Sequence, residues 1–171
     1  MGEIRDIYRG RIVHLTAEQV VLPNGHRMEL EIVRHPGAAA VAALDATGAV
    51  TLLRQYRHAV GGYLFEIPAG KLDPGETPEA CALRETEEEV GHVVGQLEKL
   101  GAILTTPGFT DEIIHLYAGY DLVATASATE PDEDLTVVRM PFAEAVAMVE
   151  RGEIQDAKSM AALLLAARRT S

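Results

Sequence analysis

The chain has 171 residues, 47% of them hydrophobic and 24% charged, with a formal net charge of −11 at pH 7. This length fits one domain with a sizeable core, and the hydrophobic content argues against a disordered chain. The acidic balance argues against binding to nucleic acid or to an anionic membrane surface, and no apolar run is long enough to span a bilayer.

The amino-terminal part of the chain has the pattern of antiparallel strands. Strand-like segments cover residues 8–15, 18–22 and 26–35, and Asn24-Gly25 is a strong hairpin signal before the last of them. Pro36-Gly37 then marks a break. We predict that residues 1–36 form a β-meander separate from a domain of residues 37–171. Because an isolated meander has little to pack on in a small protein, we expect it to be a dimerisation lobe.

The rest of the chain alternates strands and helices in an order typical of an α+β fold. Predicted strands cover residues 38–44, 50–56, 63–67, 97–105, 112–122 and 135–140, and predicted helices cover 78–90, 142–150 and 157–169. Residues 124–134 are small, polar and acidic, which predicts a loop. This order predicts a sandwich in which one sheet lies between helices.

The number of cysteines indicates the redox environment in which the protein works. Cys81 is the single cysteine, so no disulfide forms within the chain, which suits a reducing cytoplasm. The chain also shows no cationic, apolar amino-terminal signal, and we expect a cytoplasmic protein. Cys81 falls in the predicted helix 78–90, where a small buried residue is the expected role and a nucleophile is the alternative.

The helix over residues 78–90 is bounded by clear local signals. Thr77 is a good N-cap, Pro78 suits the first helical position, and Gly91 suits the end. Three glutamates, Glu85, Glu88 and Glu89, stand at i, i+3 and i+4, which places their carboxylates on one face. A solvated acidic face is one interpretation of this stripe. The other is a site for Mg²⁺, Mn²⁺ or Ca²⁺, the hard cations that carboxylates bind.

Charge around this helix constrains any anionic ligand. Segment 72–90 carries seven acidic residues against a single basic one, Arg84. A diphosphate would be repelled from such a surface unless metal ions neutralised it. The charge pattern therefore favours the metal interpretation of the stripe.

The spacing of these residues resembles the Nudix box, the signature of hydrolases that cleave a nucleoside diphosphate linked to another moiety. It reads Gly70, five residues, Glu76, seven residues, then Arg84-Glu85, with Glu88-Glu89 and Gly91 following. Thr86 and His92 stand where aliphatic residues are usual. The resemblance implies a Nudix-type α/β/α sandwich with a mixed sheet.

The same resemblance implies the metal ligands. Glu85 and Glu89 would be the main carboxylates, Glu88 would share the site, and the backbone carbonyl of Ala69 would add an oxygen. The ion would be Mg²⁺, with Mn²⁺ possible. Arg84 would orient the carboxylates, and Glu76 would act at the turn, with direct ligation as its alternative.

Flanking motifs narrow the family. The segments 53–57 (Leu-Arg-Gln-Tyr-Arg) and 66–70 (Glu-Ile-Pro-Ala-Gly), with Pro107-Gly108 fifteen residues after the box, look like the ADP-ribose pyrophosphatase branch. The likeness runs from about residue 8 to 169. It implies Mg²⁺-dependent hydrolysis of ADP-ribose to AMP and ribose 5-phosphate by a homodimer with shared sites. GDP-mannose, a broad range of ADP-sugars, or ligand sensing without catalysis are the alternatives.

Substrate contacts are expected from the segments around the box. Arg54 and Arg57 point to opposite faces of a strand, and we favour Arg57 over Arg54 as the phosphate contact. The resemblance places Gly108 and Glu112 near the substrate, with closure of the turn as the alternative role for Glu112. Without tryptophan, base stacking is left to Tyr8, Tyr56, Tyr63 or Phe109, or to the partner subunit.

A catalytic base is expected on the loop before the last strand. Branch members often carry a glutamate there, and Glu133 occupies that place in this sequence. With Arg84 and Glu88 it completes the set of residues expected to take part in catalysis. Glu130 and Asp134 are alternatives for the base, and a loop that is simply solvated is the remaining interpretation.

Overall fold

The structure, a computed structural model, describes residues 2–126 and 134–170. In this part of the chain the strands are β1 (Ile4–Arg9), β2 (His14–Val21), β3 (Arg27–Arg34), β4 (Ala38–Leu44), β5 (Ala49–Arg57), β6 (Gly62–Glu66), β7 (Ala69–Lys71), β8 (His92–Leu104), β9 (Ile113–Ala124) and β10 (Leu135–Pro141). The helices are α1 (Pro78–Val90), α2 (Phe142–Glu150) and α3 (Ala157–Thr170), with a 3₁₀ turn at His58–Val60.

The main sheet has the strand order β10-β5-β4-β9-β8, with β6 paired to β5 and β7 paired to β4. The pair β4–β9 is parallel and its other pairings are antiparallel, so the sheet is mixed. Every residue of β4 is buried, as expected for a strand covered on both faces.

Alternation along β4 assigns its side chains to two core layers. Ala39, Val41 and Ala43 pack with Cys81 and Ala82 of α1. The residues between them pack with α2 and α3 in a second, larger cluster. Because successive side chains of a strand point to opposite faces, one strand serves both layers. The predicted α/β/α sandwich with a mixed sheet is confirmed.

The amino-terminal segment forms a separate antiparallel sheet, in the order β1-β2-β3. The turn between β2 and β3 contains Gly25 with φ 85°, as the Asn24-Gly25 signal predicts. The Val33 N–H donates to the Phe109 carbonyl at 2.8 Å, which connects this sheet to the loop between β8 and β9. Whether residues 1–36 act as a dimerisation lobe stays a prediction.

The predicted strand over residues 8–15 was wrong. The chain reverses within it, and the Gly10 N–H donates to the Val13 carbonyl at 2.8 Å. A Cβ on Gly10 would lie 2.6 Å from the Tyr8 hydroxyl, so a larger residue in this turn would displace the exposed Tyr8 ring. Gly10 is the one local turn signal within residues 8–15, and Ile12 and Val13 after it are of types that favour strands. Strand β7 was also not predicted, and β8 begins at His92 rather than at residue 97.

No helix within residues 2–126 or 134–170 has the length and apolar character needed to cross a membrane.

Candidate active site

Helix α1 begins and ends where the local signals predict. The Thr77 hydroxyl accepts a hydrogen bond from the Ala80 N–H at 3.2 Å, and Pro78 occupies the first turn. At the other end Gly91 is left-handed, with φ 65°, and its N–H donates to the Glu87 carbonyl at 3.0 Å. These caps satisfy backbone groups that a helix leaves unpaired, and they fix which residues form the acidic face.

The two departures from the box pattern lie on the inner side of α1, for Thr86, and at the start of β8, for His92. Thr86 is fully buried, and its hydroxyl donates to the Ala82 carbonyl one turn earlier at 2.7 Å. A polar residue therefore fits the apolar layer because its hydroxyl is satisfied within the helix. His92 is half-buried, and its Nδ1 has no hydrogen-bond partner among the described residues.

Arg84 connects the turn before α1 to the acidic face of the helix. Its guanidinium donates to both oxygens of Glu76, each at 2.9 Å, and to Glu85 at 2.7 Å and Glu88 at 3.1 Å. The hydrogen bonds from Arg84 lower the pKa of Glu76 to about 2. Glu76 also accepts from the Asp73 N–H at 3.0 Å, which places it at the turn.

Backbone close to α1 contacts the third carboxylate of the stripe, Glu89, and also Glu85. The Ala69 N–H donates to Glu89 at 2.9 Å, and Glu89 is only 5% exposed. The Glu85 carboxylate lies against Gly70: a Cβ on Gly70 would lie 1.7 Å from Oε1 of Glu85. A side chain at position 70 would therefore displace the Glu85 carboxylate, which occupies the space of a Cβ.

These groups form one side of a cavity of about 840 Å³. The carboxylates among its described lining residues are Asp73, Glu85, Glu88, Glu89, Glu112 and Asp134. The cations that line it are Arg11, Arg57, Lys71, Arg84 and Lys158. A cavity lined by both charges suits an anion that binds together with metal cations.

A buried ion-pair network holds two of these cations. Glu66, 3% exposed, accepts two hydrogen bonds from Arg57, at 2.8 and 2.9 Å, and one from Lys158 at 2.5 Å. Burial by itself raises the pKa of Glu66, but Arg57 and Lys158 outweigh it and lower that pKa to about 2. Glu66 is therefore ionised at neutral pH and holds both cations at the cavity.

The structure separates the two arginines of β5. Arg57 lines the cavity, whereas the Arg54 guanidinium lies over the ring of Tyr63, 4.0 Å from its centroid. Glu112 lines the cavity and accepts from the Thr105 hydroxyl at 2.8 Å. Gly108 lies in the exposed loop before β9 and is not among the described lining residues.

The candidate base falls outside the described residues. Glu133 and its alternative Glu130 both belong to the segment 127–133. The other alternative, Asp134, lines the cavity and accepts from the Tyr63 hydroxyl at 2.7 Å. Of the aromatic candidates for base stacking, Tyr56 is the one among the described lining residues.

The site fits a divalent cation by the chemistry of its donors. Glu85, Glu88, Glu89 and Ala69 line one cavity and offer only oxygen, which hard cations prefer. Among the described residues, no three acidic, histidine or cysteine side chains are gathered closely enough to hold an ion. Arg84 and the Ala69 N–H hold the carboxylates instead.

Cys81 takes no part in this chemistry. It is fully buried, and its Sγ lies 3.4 Å from the Gly70 and Lys71 carbonyls. Burial, together with the charges of Glu85 and Glu76, raises the pKa of its thiol to about 12. The thiolate is the nucleophilic form of cysteine, so Cys81 is a packing residue.

Sequence reasoning missed several residues that line the cavity. Lys158 lies far along the chain from the box, and no local signal connects it to Glu66. Arg11 and Ile12 come from the turn between β1 and β2, which was predicted as strand. For Glu66 a signal existed, since an acidic residue next to the apolar Ile67-Pro68 is unusual in a buried strand.

Comparisons with known proteins agree with this geometry. The sequence-family model of the NUDIX domain matches residues 33–163 of this chain. The chain is 42% identical to an ADP-ribose pyrophosphatase of Bacillus subtilis (strain 168), covering 92% of this chain and 86% of that protein. It is also 42% identical, with the same coverage, to a methanol dehydrogenase activator of Bacillus methanolicus. A crystal structure of an ADP compounds hydrolase superposes with a TM-score of 0.83 at 24% identity, covering 98% of this chain and 91% of that one.

Proposed function

The chain belongs to the NUDIX family, and on that premise we propose that it hydrolyses ADP-ribose to AMP and ribose 5-phosphate. One observation carries the proposal most directly. The carboxylates of α1 and the Ala69-Gly70 backbone share a cavity with Arg57 and Lys158. A diphosphate needs both kinds of neighbour, because metal cations bind at carboxylates and cationic side chains neutralise the remaining charge.

Nudix hydrolases generally need divalent metal ions, and we propose Mg²⁺ as the ion here, held by Glu85, Glu88, Glu89 and the Ala69 carbonyl. A divalent ion in such a site neutralises phosphate charge and lowers the pKa of a bound water. Arg84 keeps Glu85 and Glu88 oriented from one side, and the Ala69 N–H keeps Glu89 oriented from the other. Mn²⁺ suits the same oxygen donors.

The other proposed site residues bind the substrate or accept a proton. Arg57 binds a phosphate oxygen, and Glu112 contacts the metal site or the terminal ribose. Glu133 accepts the proton of the attacking water. This role is supported by Asp134, the next residue, which lines the cavity and whose carbonyl accepts from the Tyr56 N–H at 2.9 Å. That hydrogen bond holds Asp134, the neighbour of Glu133 in the sequence, beside β5.

We also propose that two copies of the chain pair through the amino-terminal sheet. Large apolar side chains are exposed on or beside β1 and β2: Ile4, Ile7, Tyr8, Ile12, Val13 and Val21. Arg11 and Ile12, in the turn between these strands, also line the cavity. Dimerisation there would cover apolar surface and place the sites close to the subunit boundary. Light scattering after gel filtration tests it, and a monomer at micromolar concentration would contradict it.

The function is tested by product analysis. ADP-ribose is incubated with protein and Mg²⁺ beside GDP-mannose, NADH and diadenosine polyphosphates. Release of AMP from ADP-ribose alone supports the proposal. Preference for GDP-mannose or another nucleotide sugar would keep the hydrolase and reject this substrate. No cleavage of any compound with Mg²⁺ or Mn²⁺ would instead favour a ligand-sensing domain.

A further inference from the structure

The start of helix α3 is bound directly to the segment that leads into the candidate metal site. Asp156 caps the helix by accepting from the Ser159 N–H at 3.0 Å. The fully buried Ser159 hydroxyl donates to Asp156 and accepts from the Ile67 N–H at 2.8 Å. The cap of α3 therefore fixes backbone that lies two residues before Ala69.

Lys158 makes a second connection between the same two segments. Its side chain is 12% exposed, and its ammonium lies 2.5 Å from Oε2 of Glu66 and 3.0 Å from Asp156. Oε2 of Glu66 also accepts from Arg57, at 2.9 Å. One carboxylate oxygen is thus held between Lys158 and Arg57.

This arrangement decides how the Arg57 guanidinium is oriented. Its two hydrogen bonds to Glu66 form a planar fork, so the position of the carboxylate sets the plane of the guanidinium. Lys158 donates to one of the same carboxylate oxygens and so helps to keep the carboxylate in place. The hydrogen bond to Glu66 and the negative charges of Glu66, Glu89 and Asp156 raise the pKa of Arg57. One of these charges, Glu89, belongs to the stripe.

We propose that Lys158 is a positioning residue, which holds Glu66 so that Glu66 presents Arg57 to the diphosphate of the substrate. This rests on the proposed function, since it requires a diphosphate in the cavity. Lys158 acts here through Arg57 rather than by its own contact with phosphate. Loss of Lys158 therefore weakens substrate binding, while the carboxylates of α1 keep their arrangement.

The test is the Lys158→Met variant, which keeps the length of the side chain and removes its charge. We expect KM for ADP-ribose to rise about tenfold, with kcat and the Mg²⁺ concentration for half-maximal rate nearly unchanged, the pattern of lost uniform binding. Lys99→Met is the matched control, because Lys99 is exposed on β8 and does not line the cavity. That variant should keep the wild-type KM.

A double-mutant cycle with Arg57→Met distinguishes an effect of Lys158 that is exerted through Arg57 from a direct contact of Lys158 with phosphate. If Lys158 acts through Arg57, the double variant has the KM of Arg57→Met alone, because the second change has nothing left to displace. If the two single changes instead multiply in their effects on KM, Lys158 contacts the substrate independently of Arg57, and the proposal is overturned. An unchanged KM in Lys158→Met would also overturn it. If Lys158→Met fails to melt cooperatively, Lys158→Leu, which likewise leaves no donor for Glu66, replaces it in the same cycle.

Failure of the proposed function gives a different result. A wild-type protein that releases no AMP from ADP-ribose overturns both proposals. A wild-type protein that does so, with Lys158→Met kinetically identical to it, overturns only the role of Lys158.

Discussion

Replacement of Gly70 by alanine tests whether the observed place of the Glu85 carboxylate matters for activity. A Cβ at position 70 would lie 1.7 Å from Oε1 and 2.0 Å from Cδ of Glu85. Because non-bonded carbon atoms rest about 3.5–4.0 Å apart, the carboxylate must move by about 1.5–2 Å. Gly70 lies in β7 outside the left-handed region, so alanine is compatible with its backbone.

The expected effect falls on activity and not on folding. The displaced group is the end of a flexible side chain, and a compatible Gly→Ala change alters stability by only about 0.4–1 kcal/mol. A reacting group misplaced by about 1 Å costs on the order of 100-fold in rate. We therefore expect kcat/KM of Gly70→Ala to fall by about 100-fold, which corresponds to about 2.7 kcal/mol of transition-state stabilisation.

The assay compares AMP release, Mg²⁺ titration and thermal melting of the variant and the wild type. Gly101→Ala is the matched control: it is also on a strand, and nothing lies within 4 Å of its added Cβ. The control should keep wild-type activity. Wild-type kcat/KM and Mg²⁺ requirement in a folded Gly70→Ala protein would refute the role assigned to Glu85 at this position.

Three further changes test other parts of the site. Glu89→Gln should lower turnover by about 100-fold or more while keeping or raising the melting temperature, because it removes a proposed metal ligand and relieves repulsion within the stripe. Glu133→Gln should lower kcat with little change in KM, and an unchanged kcat would remove Glu133 as the base. The pKa of Glu66 is lowered to about 2 from 4.5, so its contribution to stability is complete above pH 4.5 and is lost as pH falls towards 2. Unfolding followed against pH should therefore show a shallower acid decline in Glu66→Gln than in the wild type.

Features fixed by local physics were predictable from the sequence. Thr77, Pro78 and Gly91 bound helix α1 because caps and left-handed glycines act over a few residues, and the structure places both ends as predicted. The stripe of glutamates follows from the helical period alone. Burial of β4 on both faces was predictable because this strand is apolar throughout, whereas the mixed sheet was implied only by the resemblance to the Nudix family.

Features that depend on contacts between distant segments were not predictable. Lys158 and Glu66 are 92 residues apart, and their ion pair exists only because α3 packs across the end of β6. Arg11 lines the cavity because the chain reverses at Gly10, in a segment whose other residues, such as Ile12 and Val13, are compatible with a continuous strand. The separation of Arg54 from Arg57, in contrast, follows from strand alternation, although only the structure shows which of them lies at the cavity.

Arg84 explains how three carboxylates remain close together on one helical face. Like charges at this spacing destabilise a helix, and Arg84 offsets that repulsion by donating to Glu85 and Glu88. Its two hydrogen bonds to Glu76 hold the guanidinium independently of the stripe. A cation at the proposed site would compete with Arg84 for oxygens of Glu85 and Glu88, and the two hydrogen bonds to Glu76 would still hold the guanidinium. The same carboxylates are in this way oriented by an arginine that is itself held at Glu76.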